Sequence, residues 1–447
     1  MSPLISHLTR RQVLTGGAVA AAGAVGAGIG VFELLPRQTL ATPRTSASGP
    51  DGAWPSPLGG QQGLAAHLLR RAGFGYTGSD LEAAASMPYE QLVEQVLHQS
   101  ADSLPSISDA AAYQQVVRAW YTLMATTSSQ FPERMTLFWH GVLTSDFRNA
   151  GKLPLVLQQL TTFRSAGRSD LRTLLLAATY DPLMGRYLNL AQSSAASPNE
   201  NYSRELMELF TIGPGTYSEG DVREGARIFS GIRRGRLVSR LHDSGTKTYL
   251  GQTGNFDPEQ AIDILLEQPM CATHVAQRAL VQFCTPNPSN DLVNAVATEF
   301  RNSKYDITTL MRAIFTSADF VAAANYRSLV RQPAEYMVAT MRALDRPDLA
   351  TACVRSGVAM GQALYDPPNV GGWPPNQAWI SSSAWLARLN FAARVVRSQR
   401  NFPDATQAVA DQLDGVTGSD TTAALASSAD SAGRWDVLLS SPEFQLK

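Results

Sequence analysis

The stretch SPNENYSRELMELFTIG, residues 197–213, places Glu200, Arg204, Glu205 and Glu208 close together and sets Asn199 and Asn201 on either side of Glu200. A helix advances about 100° per residue. On that wheel Tyr202, Leu206, Leu209 and Phe210 form an apolar stripe. Asn201, Glu205 and Glu208 form the strip beside it, with Glu205 nearest the apolar edge. Two carboxylates at i, i+3 suit either a shared cation or an acid/base pair. The competing structural reading is a salt-bridge row Glu200–Arg204–Glu208, or a buried ion network centred on Arg204.

The histidines supply co-ligands. His140 follows Phe138-Trp139 and precedes Gly141, so it either caps a helix end or faces a site. His242 stands beside Asp243 on an irregular segment, with Lys247 close by. His67, His98 and His274 sit in helical patterns and read as structural. The sequence-level hypothesis is that Glu205, Glu208, His140 and His242 converge on one divalent metal, iron, manganese or zinc. Glu208 would ligate, Glu205 would ligate or act as base, and Arg204 would hold the carboxylates. Asp243 would orient His242. Asn199 and Asn201 are the candidate substrate contacts next to this group. Trp373 and Trp379 lie in YDPPNVGGWPPNQAWISSS, where prolines forbid a regular helix. They form either a stacking platform for a sugar or a plug beneath the loop.

Other chemistries lack support. No GxSxG, HExxH, P-loop or paired CxxC is present. The net charge of −1 gives no reason to expect a nucleic-acid partner. Cys271, Cys284 and Cys353 form no disulfide framework.

The elements that must position these residues are helices. A chain of 447 residues with 44% hydrophobic and 17% charged residues is globular. Segments such as YEQLVEQVLHQ, PERMTLFWHGVL and LRTLLLAATY repeat apolar residues at i, i+3, i+4. Ser197-Pro198-Asn199-Glu200 reads as a capping box, and Ser218 and Asp257 open further helices. The expected fold is mainly α: a single multi-helical globular domain over 61–447, with a small β-hairpin or irregular insertion near 231–255. Residues 42–60 read as a Pro/Ser/Gly-rich linker. Residues 1–41 read as a signal peptide: Arg10-Arg11 in TRRQVL, then a Gly/Ala-rich apolar run to Phe32, match the twin-arginine pattern. A single membrane anchor over Val13 to Phe32 is the alternative.

Six ordered blocks, HLLRRAGFG, ERMTLFWHGVLT, NENYSRELMELFTIG, DVREGARIFSG, HDSGTKTYLGQTGNFD and LYDPPNVGGWPPNQAWISSSAWLARLNF, resemble the bacterial domain of unknown function 1800 family. The resemblance implies export, often by twin-arginine signals and so through the twin-arginine translocase, to the periplasm, cell wall or exterior. It also implies partnership with an exported sulfatase-like protein of the domain of unknown function 1501 family. It carries no established catalytic residues. One departure is Ile232-Arg233-Arg234, where the family usually has a Gly-Trp pair. The expectation is a cell-envelope protein performing metal-assisted chemistry on an extracytoplasmic polymer or glycan. The alternatives are a helical scaffold for the partner and a glycan-binding module.

Overall fold

The computed structural model describes residues 48–49, 52–53, 55–107, 112–150 and 153–447. The leader expected over 1–41 and residues 42–47, 50, 51 and 54 of the linker expected over 42–60 lie outside them. The described residues are mainly α-helical, and sheet is confined to short two-stranded ladders. Among them no helix is long and apolar enough to cross a membrane.

The organising element is helix α1, Gln130–Val142. Every residue in it except Gly141 is buried. A helix buried all round must lie inside the fold, not on its face. Phe131, Met135, Phe138 and Trp139 join one apolar cluster with Leu174, Leu206, Phe210, Phe283 and Phe315. Leu137 joins a second, with Trp120, Tyr336, Phe391 and Trp435. The two charged side chains carried inside, Glu133 and Arg134, each face an opposite charge, as burial requires. Glu133 accepts from Trp120 Nε1 at 2.9 Å and from Arg164 Nε at 2.8 Å. Arg134 pairs with Glu335 at 2.6 Å and lies 4.5 Å over the Phe283 ring.

Local signals set several boundaries. Ser218 caps α3, Glu219–Ile228, in a reciprocal box with Asp221. Asp257 and Gln260 do the same for Pro258–Glu267, with proline at the first turn. Helix α2, Asn201–Glu205, lies before α3 and starts later than its sequence suggests. Ser197 does not cap it. Ser197 is tied back to Ser194 in a tight turn, and Glu200 takes the N-cap position without a side-chain cap bond. The irregular insertion resolves into two hairpins. β1, Ile232–Arg233, pairs with β2, Arg236–Leu237, and β3, Lys247–Tyr249, with β4, Gln252–Gly254.

Candidate functional site

After Glu205 the helix changes register. Leu206–Thr211 is a π-helix: Thr211 Oγ1 donates to Leu206 O at 2.6 Å, and the N–H groups of Ile212 and Gly213 both reach Met207 O at 3.0 Å. Such widened turns occur often at functional sites. A helix end leaves carbonyls without intrahelical partners. Here Leu209 O is taken by Arg278 at 2.8 Å and by His274 Nε2 at 3.2 Å, both from α4, Pro269–Phe283. Burial holds the His274 imidazole below its ordinary range and the Arg278 guanidinium down to about 10.

The new register redistributes the charges. Arg204 makes two bonds of 2.8 Å to Glu219 and reaches Glu200 at 3.1 Å. The row expected over Glu200–Arg204–Glu208 therefore stops at Arg204. Glu208 instead accepts the Tyr217 phenol at 2.7 Å. Glu205 is buried, and after burial itself and Asp146 its charge helps push the Tyr187 phenol up to about 12. Asn199 Oδ1 accepts the Asn201 N–H at 3.0 Å, so this pair shapes the turn that enters the helix.

His242 and Asp243 form no dyad with each other. His242 Nδ1 meets Ser230 O at 3.1 Å, while Asp243 takes the Arg227 guanidinium at 2.7 Å and the Gly245 N–H at 2.8 Å. Arg227 holds the Asp243 carboxyl below its usual range. Lys247 is buried and donates to Asn255 Oδ1 and Phe256 O at 3.1 Å. These residues pin the second hairpin to α3. Among the described residues no group of three or more His, Cys, Asp or Glu side chains is placed to hold a metal ion. Glu205, Glu208, His140 and His242 are therefore not gathered as a ligand set. The donor set expected for iron, manganese or zinc does not fit the geometry.

His140 has a different task. Its Nε2 accepts the Tyr365 N–H at 3.1 Å, and its ring lies 4.4 Å from Tyr365 and 5.2 Å from Trp373. It anchors the start of the Pro/Gly/Trp loop. Thr144 Oγ1 continues the attachment, donating to Val370 O at 2.6 Å. Gly372 lies at φ +80, and a Cβ there would stand 2.4 Å from Gly141 O. Only glycine permits this approach.

The loop forms one wall of a cleft of about 800 Å³ between α1 and α4. Trp373 is half-buried in that wall, and Trp379 is buried beneath it. The loop tryptophans thus divide between the two readings their sequence allowed. Gln277, Arg278, Gln282, Gln332 and Asn369 bring polar groups to the same cleft. The wall does not include Asn199 or Asn201. Apolar walls with a few converging polar groups are the usual composition of a ligand site.

A second polar group, marked by no motif in the sequence, lies behind His140. Gln159 Nε2 donates to Ser145 Oγ at 2.7 Å and to Asp181 Oδ1 at 2.9 Å. Burial pushes the Asp181 carboxyl up to about 6, and the Tyr365 phenol is raised by burial and then by the Asp181 charge. His140 Nδ1, Tyr365 OH, Asp181 Oδ2 and Gln159 Oε1 are buried polar atoms without a hydrogen-bond partner. The one signal in the sequence was Asp181-Pro182, an N-cap before proline; nothing linked it to residues far along the chain.

Fold and site together define a mainly α-helical, single-domain protein with a tryptophan-walled cleft. The chain belongs to the family described as "Protein of unknown function (DUF1800)", whose match covers residues 67–446. No curated protein and no solved structure matches it.

Proposed function

We propose that this is an exported cell-envelope protein that binds a polyhydroxylated ligand, a glycan, in the cleft between α1, α4 and the Trp373 loop. The observation that carries the reading is the half-exposed Trp373 indole beside the amide side chains of Gln277, Gln282 and Gln332. An aromatic face accepts the C–H face of a sugar ring, and amides donate to and accept from its hydroxyls. The geometry favours this over metal-assisted catalysis because the metal donors are dispersed while the cleft residues converge. Export rests on Arg10-Arg11 and the apolar run behind them. A glycan ligand fits an envelope location and a sulfatase-like partner acting on the same polymer.

The test is native affinity electrophoresis in gels containing soluble glycans, with tryptophan emission titrated in parallel. Retardation by at least one glycan is expected, with affinity falling at least tenfold in Trp373→Ala and several-fold in Gln277→Ala. Gln277 is exposed, so its loss leaves the fold intact. Equal mobility of the protein and Trp373→Ala in every glycan would sink the proposal.

A further inference from the structure

A second cavity, of about 470 Å³, lies where the first hairpin meets helix α5, Pro182–Tyr187. Its walls are apolar at Leu155, Pro182, Ala191 and Ile232. Arginines stand around it: Arg186, Arg233 and Arg234. A neighbouring cavity of about 460 Å³ shares Gly185, Arg186 and Ala191 with it. Arg233 donates to the carbonyls of Ser193 at 2.8 Å and Ile232 at 2.9 Å, so its charge is oriented by backbone oxygens. Arg234 and Arg236 are exposed, and neither takes part in an ion pair among the described residues. The one acidic residue in the wall, Asp181, is turned toward Gln159 and the Met184 N–H, which donates at 2.8 Å.

The hairpin tip carries a local conflict. Arg233 faces Arg236, so the turn is the pair Arg234-Gly235, at φ +49 and φ +78. A two-residue turn with both residues left-handed favours Asn-Gly, and an arginine in that conformation is strained. The tip is also seated tightly: a Cβ on Gly235 would stand 2.9 Å from Tyr180 O. The turn sets an exposed arginine at the rim of an apolar cavity, beside Arg186 and Arg233. The net charge of −1 shows that this cation density is local.

We infer that this cavity binds an amphiphilic organic anion, its apolar body against Leu155, Pro182, Ala191 and Ile232 and its phosphate or carboxylate head at Arg186, Arg233 and Arg234. The volume is within the range of small-ligand sites. The arginine fork matches a phosphate or carboxylate head, and the apolar walls give a simple inorganic anion nothing to fill.

The test is calorimetric titration of the full chain with dodecyl phosphate below its micelle concentration, with dodecanol and inorganic phosphate as single-feature probes. Dodecyl phosphate is expected to bind at least tenfold more tightly than either. Arg234→Asn is the informative variant, because asparagine suits the turn: its melting temperature should equal or exceed that of the parent while dodecyl phosphate affinity falls at least fivefold. Arg186→Ala should weaken binding similarly. Unchanged affinity in both variants would overturn the inference, as would dodecanol or inorganic phosphate binding as tightly as dodecyl phosphate. Co-sedimentation with phosphatidylglycerol vesicles, and not with phosphatidylcholine vesicles, would assign the head to a bilayer lipid. Dodecyl phosphate binding without sedimentation would assign it to a monomeric amphiphile. Both results support the shared chemistry.

Discussion

His140 commits its Nε2 lone pair to the Tyr365 N–H, 3.1 Å away and 225 residues further along the chain. That contact fixes the ring proton on Nδ1, which is buried. It also joins the last turn of the central helix to the loop that carries Trp373. An imidazole expected to ligate a metal is thus a clamp between two walls of the cleft.

The clamp gives stability a pH dependence. Burial lowers His140 to about 3, against 6.5 in an unfolded chain. Between these values the unfolded chain binds a proton that folded His140 refuses. The contribution is present above pH 6.5 and is lost as pH falls toward 3, at up to about 1.4 kcal/mol per pH unit. His67 and His274 are lowered by burial in the same sense. His140→Gln should lose about 1–3 kcal/mol at pH 7.5, as expected for a buried hydrogen bond. Its acid limb should be shallower than the parent's by one histidine's share. Urea midpoints from pH 7.5 to 4.5 check this, and parallel limbs would contradict it.

Asp181 works in the opposite direction. Its folded pKa is raised to about 6 from 3.8. Its contribution is therefore fully present below pH 3.8 and lost as pH rises through 6. Asp181→Asn removes the buried charge. Relative to the parent the variant should improve by about 2–3 kcal/mol between pH 4 and pH 8. The same urea series measures it, and a pH-independent difference would place the carboxylate in contact with solvent.

How far the sequence could be read depended on whether a feature was local. The boxes at Ser218/Asp221 and Asp257/Gln260 were legible because each closes within four residues of chain. Ser197 shows the limit: it has the same chemistry, but its backbone is held by Ser194. The π-helix was illegible because its register depends on His274 and Arg278 taking Leu209 O, partners 65 and 69 residues away. Adjacency misled at His242-Asp243, where neighbours in sequence turn to Ser230 and Arg227. Trp373 and Trp379 stand out in the sequence because Pro and Gly mark an ordered loop; Arg278, Gln282 and Gln332, which line the same cleft, are hidden in ordinary helical patterns. The mainly α fold was legible throughout, since helix periodicity repeats in each segment.

Glu335 holds the two apolar clusters together through charge. Burial alone would raise its carboxyl, but Arg134 and Lys447 hold it below the usual range. Arg134 approaches to 2.6 Å, and the Gln332 N–H donates at 2.9 Å. Glu335→Gln leaves two buried cations without a counter-charge and should cost about 3–5 kcal/mol. Lys447, already lowered by burial, can then shed its proton, so the loss should shrink toward pH 10. Chemical denaturation at pH 7 and pH 10 tests both parts.

Two glycines that touch each other should respond with opposite signs. Gly141 lies in the central helix with nothing within 4 Å of a Cβ built on it. Alanine there gains helix propensity, and Gly141→Ala should stabilise by up to about 1 kcal/mol. Gly372 faces it at φ +80, where a Cβ would stand 2.4 Å from Gly141 O and 3.0 Å from Thr144 Cγ2. The left-handed backbone costs an alanine about 1–2 kcal/mol, and contact with backbone that cannot yield adds to it, so Gly372→Ala should lose about 2–4 kcal/mol. The loop with Trp373 would be displaced, shifting tryptophan emission to the red. Gly141 also lines the cleft, so its new methyl group enters the space assigned to the glycan. Glycan affinity should therefore fall in both variants, through crowding in a more stable Gly141→Ala and through a displaced wall in a less stable Gly372→Ala. Melting curves paired with affinity electrophoresis separate the two. Full affinity in a stabilised Gly141→Ala would move the ligand away from this wall.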